Sequence, residues 1–264
     1  MLINTVILFI KEILPVFILL CFVSAFVSSH FVNRANLTRL LIISITFISL
    51  IFTNLENISG WYDGDGIEIL ASVIHFSLYF ILLASSCLIM TKKSLNLPLG
   101  LALFASVSMF ATLHLSEFFL YFFTIIINQQ SLATTITGTV FGLGICISFS
   151  TLLALLFKGT VNKLEWLSYT FWASYLAGIA TQGLTKLQQI GLVDTRQTLW
   201  DTSFIISDSS EYGYLLNTLI GYVSAPTREY FLVYTISLFT SIITYCLVFK
   251  VARKKMSCSL GDLK

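Results

Sequence analysis

Lys11 and Glu12 stand side by side inside the first apolar stretch of this chain, and Glu117 stands three residues after His114 in a later one. An ionisable side chain at the centre of a bilayer costs roughly 3 kcal/mol on insertion scales, so such a residue marks an ion path or an interhelical pair. Carboxylates suit hard cations, and added imidazole suits iron and other transition metals. His114 and Glu117 share a helix face at i, i+3. A second set, Asp65, Glu68, Ser72 and His75, runs down one face at i, i+3, i+7, i+10, spaced to hand a divalent or trivalent cation inward. Each group also has a structural reading. A single histidine in a span commonly hydrogen-bonds a neighbouring helix, and Lys11 can pair with Glu12 or Glu117. Glu12 and Glu117 are read as functional, because an unpaired acid at that depth is hard to account for otherwise.

The elements that must position these residues are helices in a bilayer. Hydrophobic residues make up 56% and charged residues 11% of 264 positions, with mean hydropathy +0.89. That composition describes an all-α polytopic membrane protein. At about 20 residues per crossing, seven transmembrane helices fit near 3–28, 38–54, 67–90, 99–128, 134–157, 165–190 and 229–250. By helix rise, Lys11 and Glu12 lie roughly 12–14 Å from the outer end and Glu117 roughly 16 Å, all near the midplane. Pro15 removes a backbone hydrogen bond one turn beyond Glu12 and frees a carbonyl nearby.

Charge fixes the orientation. Arg34, Arg39, Lys92, Lys93, Lys158, Lys163, Lys250, Arg253, Lys254, Lys255 and Lys264 put eleven of fifteen basic residues on one side. The positive-inside rule makes that side cytoplasmic, with the amino terminus outside and 251–264 a basic cytoplasmic tail. The other side is acidic, with Glu56, Asp63, Asp65 and Glu68 near the third span and Asp194, Asp201, Asp208, Glu211 and Glu229 in or after the external loop 191–228. Those acids either solubilise loops or form a vestibule that concentrates cations. In that loop, Trp200-Asp201-Thr202-Ser203 is expected to form a turn or helix start. Residues 211–222 are expected to form a short helix near the outer surface, contacting through Tyr214, Leu215 and Leu219.

Other classes are excluded or disfavoured. The five cysteines show no CxxC spacing, so neither a disulfide framework nor a zinc site is expected. No basic residue precedes the first apolar run, unlike a signal peptide. A retinal protein needs a Schiff-base lysine within the last span, and 229–249 contain none. No Ser-His or paired-Asp site for an intramembrane hydrolase is visible. Nothing points to nucleic acid or to a bound organic cofactor.

Spans one to three (about 3–90) and four to six (about 99–190) each hold an odd number of crossings, so the second set is inverted relative to the first. Glu12 and Glu117 then correspond at an offset of 105 residues, within Leu8-x-x-x-Glu12 and Leu113-x-x-x-Glu117. A 3+3 inverted repeat with its site near the midplane, plus a seventh helix, is a recurrent transporter plan.

From Lys163 onward the residues Gly183-Leu184-Thr185-Lys186-Leu187-Gln188-Gln189-Ile190-Gly191, Leu199-Trp200-Asp201-Thr202-Ser203, Gly213, Leu216, Gly221-Tyr222 and Pro226 carry a family likeness. The chain resembles the oxidase-dependent iron permeases, the family of fungal high-affinity iron permeases and bacterial EfeU-type proteins. That resemblance implies seven spans, an iron ion as the transported substrate, and a location in the plasma or inner membrane. It also implies an external ferroxidase or iron-delivery protein as partner. In the family, spans one and four each carry Arg-Glu-x-x-Glu. Here these positions read Lys11-Glu12-Ile13-Leu14-Pro15 and Ser116-Glu117-Phe118-Phe119-Leu120, so each keeps its first glutamate and loses its second. The family's Glu-x-x-Glu before span three looks like Asp65-Gly66-Ile67-Glu68. Where the family often has acids and a histidine near the end of span six, Thr185, Lys186 and Gln189 stand. The resemblance therefore implies iron import past Asp65 and Glu68 to Glu12 and Glu117, with His114 helping. Transport of another divalent metal, or a non-transporting subunit or sensor of the same fold, are the alternatives.

Overall fold

The computed structural model describes residues 2–24, 34–90, 97–127, 132–161, 165–195 and 197–261. Lys92, Lys93, Lys163 and Lys264, used above for orientation, lie outside them. The described residues are mostly helical, and their only strand-like pairing is an isolated bridge between Thr198 and Thr227. The first rod is α1 (Leu2–Leu8), a π-helical turn (Phe9–Ile13) and α2 (Leu14–Phe22). Then come α3 (Arg34–Thr53), short α4 (Leu55–Ser59), a 3₁₀ turn (Trp61–Gly64), α5 (Gly66–Met90), α6 (Leu97–Ile127), α7 (Leu132–Val161), α8 (Glu165–Gln189), short α9 (Glu211–Ile220) and α10 (Arg228–Gly261). The tail expected after residue 250 instead continues α10 as far as Gly261.

Among the described residues, five stretches are long and apolar enough to cross a membrane: Ile3–Phe22, Gly66–Cys87, Gly100–Thr124, Thr135–Phe157 and Arg228–Leu247. Their outward faces show why. Val73, Phe80, Leu101, Phe123, Val140, Leu152, Leu155, Leu232, Ile236 and Phe239 are all exposed. An apolar surface of that extent suits lipid rather than water.

The interior packs around α8, whose residues Tyr175–Thr181 are buried in succession, as on a helix surrounded on all sides. Its main partners are α5 and α10; the first rod leans on α7, and α3 leans on α6. Gly183 of α8 lets α5 approach, since a Cβ there would lie 3.1 Å from His75 Cβ and 3.3 Å from the Ser72 carbonyl. Phe22 stacks on Tyr175 with ring centroids 4.3 Å apart and packs on Phe157 at 4.6 Å. Polar side chains tie helices together. Tyr79 donates to the Ser237 carbonyl at 3.0 Å, and Tyr169 to that of Ser241 at 3.1 Å.

The loop before α10 is built on side-chain-to-backbone bonds. Asp201 Oδ1 accepts from the Ser203 N–H at 2.8 Å, the turn expected there, and Thr202 N–H donates to the Ser224 carbonyl at 2.8 Å. Trp200 packs edge-on against Phe231, at 5.4 Å between centroids. Ser210 caps α9 by accepting from Gly213 N–H, and Gly221 ends it in the left-handed region at φ 68°. The short helix is where the sequence put it, and Tyr214, Leu215 and Leu219 do pack on the core. Its level differs from the expectation. The chain just past α9 presses on the middle of α8, where a Cβ on Gly178 would lie 2.9 Å from Gly221 N, and α9 also packs on the π turn. It is therefore folded inward rather than laid along the outer surface.

Candidate functional site

Pro15 explains why the first rod is not a plain α-helix. It has no N–H to give the Lys11 carbonyl, and the ladder ahead of it widens, with Leu14 N–H reaching back to the Phe9 carbonyl. The Cys146 thiol of α7 also donates to that carbonyl, at 3.5 Å. Such single π turns inside α-helices recur at functional sites. Here the turn holds both Lys11 and Glu12, and Glu12 is buried while its neighbour's side chain is 48% exposed.

The Glu12 carboxylate is clasped from two sides. His114 Nδ1–H donates to Oε2 at 3.1 Å, and Lys11 Nζ lies 3.4 Å from Oε1 without a hydrogen bond. Where Nδ1 carries the ring's single proton, His114 Nε2 is left with the lone pair. This nitrogen is buried and has no hydrogen-bond partner among the described residues. Phe110 holds the His114 ring from one side at 4.6 Å, and His75 lies 6.5 Å away. His75 donates from Nδ1 to the Ala71 carbonyl of its own helix at 2.7 Å. Glu117 is more open, with its side chain 41% exposed, and accepts from Lys186 of α8 at 3.1 Å.

These groups surround one cavity of about 500 Å³, into which Lys11, Glu12, His75, His114, Glu117 and Lys186 all reach. Pro15 lines it too. Gln182, Thr185 and Gln189 line it from α8, Tyr214, Asn217 and Thr218 from α9, and Asp208 from the preceding loop. Asp208 is engaged, accepting from Ser224 N–H and Oγ at 2.8 Å each.

Several expected site residues fall elsewhere. Asp65 and Glu68 open α5 but do not line the cavity, which α5 reaches only from Ala71 onward. Ser116 donates to the Leu113 carbonyl of its own helix at 2.7 Å. Leu120, at the second family position, is exposed on the outer face of α6. Trp200, Asp201, Thr202 and Ser203 serve the loop. Among the described residues no three His, Cys, Asp or Glu side chains gather closely enough to form a ready-made metal cage. Lys186, named above only within the family likeness, faces Glu117. Its signal was the spacing Gln182, Thr185, Lys186, Gln189, which puts four polar residues on one face of α8.

Compared with family models, curated proteins and solved structures, the chain matches none.

Proposed function

We propose that this chain is a seven-helix membrane permease importing iron, taken as the divalent ion, through the cavity between the first rod, α5, α6, α8 and α9. It would be a divergent relative of the oxidase-dependent iron permeases. The observation that carries the reading is the His114–Glu12 pair. A metal-ligating histidine almost always donates its other ring N–H to a carboxylate or carbonyl, which fixes the tautomer and raises basicity. His114 has that arrangement, with Nε2 unpartnered at a polar cavity. A mixed imidazole and carboxylate set favours a divalent transition ion over a trivalent one. A thin set of fixed ligands, completed by water and by Gln182, Thr185 or Asn217, also suits a site the ion must leave.

The inverted repeat gains support from packing. The first rod leans on α7 as α3 leans on α6, and α5 packs on α8. Exchanging each helix for the one three crossings later exchanges these contacts, as a two-fold axis in the membrane plane does. α3 and α8, of 20 and 25 residues, supply the two crossings beyond the five apolar ones. The amino terminus outside, the plasma or inner membrane as location, and an external iron-delivery protein complete the reading.

The test is uptake of ferrous iron into proteoliposomes under anaerobic conditions, with manganese and zinc as competitors. Wild type should load iron, and His114→Gln should not. A His114→Gln protein that is folded and transports at the wild-type rate removes the proposal.

A further inference from the structure

Both glutamates of the cavity already hold an ammonium group. Lys11 lies 3.4 Å from Glu12 and Lys186 3.1 Å from Glu117. The two pairs differ in how firmly they are set. Glu12 is 1% exposed and is also bound by His114, so it cannot lose its partners without stranding a buried charge. Lys186 and Glu117 are 29% and 41% exposed, and an ion pair open to water is weak.

We propose that Lys186 is a tethered stand-in for the transported cation, occupying Glu117 when no metal is present and leaving as the metal arrives. This rests on the permease reading above. A metal ion and an ammonium on one carboxylate repel each other, so occupancy is exclusive. The four-carbon stem of lysine lets the charge swing away without moving α8. Being attached, the ammonium has a high effective concentration at Glu117, which a dissolved monovalent cation does not overcome. A divalent ion gains about twice the Coulomb attraction at the same distance and does. Lys186 would therefore set the valence that the mouth of the site accepts.

The experiment uses the full chain in nanodiscs with anaerobic ferrous iron. Acetylation of Lys186 by acetic anhydride, read by mass spectrometry, should rise severalfold in wild type when iron saturates the site. Lys186→Met should bind iron about tenfold tighter by equilibrium dialysis and should let sodium compete, while Lys186→Arg should behave as wild type. Iron binding with unchanged or lower Lys186 labelling overturns the inference, and that arm holds even if Lys186→Met does not fold. Unchanged or weaker binding by a folded Lys186→Met overturns it too. Wild type that binds no iron removes the permease reading and this inference with it.

Discussion

At the scale of single residues, the site turns on which group holds which proton. Glu12 was expected as a ligand, and its burial was legible because its depth could be counted from the sequence. The structure gives it a partner, His114, that spacing alone could not assign, since helix rotation decides which side chains meet. Glu12→Gln keeps an acceptor for His114 Nδ1–H and removes the charge, so it should fold normally yet lose at least tenfold in iron uptake. His114→Ala strands Glu12 with Lys11 alone and should cost about 3 kcal/mol, read as a lower unfolding midpoint. Outside the membrane, hydrogen bonds from Ser203 hold the Asp201 carboxyl below the usual carboxylate range. A lowered value means the turn's contribution is whole above the ordinary range and is lost as pH falls through the lowered one. Melting curves of wild type and Asp201→Asn should therefore differ at neutral pH and converge in acid.

At the scale of elements, helix positions were largely legible, because apolar runs of bilayer length leave little choice. The π turn was not. Pro15 announced a lost hydrogen bond, but whether a helix kinks or widens there depends on neighbours such as Cys146. Nor was the inward fold of α9, since a ten-residue amphipathic helix reads alike at an interface or in a protein groove. Its depth is set by Gly178 and Gly221, which touch backbone to backbone. Gly221→Ala should fail in folding yield, because its Cβ would sit 2.7 Å from Gly178 Cα in addition to a left-handed backbone. Gly142→Ala drives a methyl against the Phe9 ring at 2.7 Å and should cost about 1–3 kcal/mol. If Pro15 maintains the π turn, Pro15→Ala should let it relax, turning Glu12 by roughly 100° away from His114. That variant should be as stable as wild type or more so, and should lose uptake.

For the whole molecule, the orientation rests on charge, and charge can be checked from either side. In a cysteine-free background, an impermeant thiol reagent added outside should label Thr198→Cys and spare Thr160→Cys. The reverse pattern would overturn the direction of import. The widened turn at Phe9–Ile13 also bears on ancestry. A π turn amounts to one residue inserted into a helix, whereas α6 runs unbroken past Glu117. If the halves are duplicates, a comparison that aligns Leu8 with Leu113 and Glu12 with Glu117 slips by one position on the far side of the turn. A structural superposition of the halves therefore has to allow one extra residue in the first rod that α6 lacks.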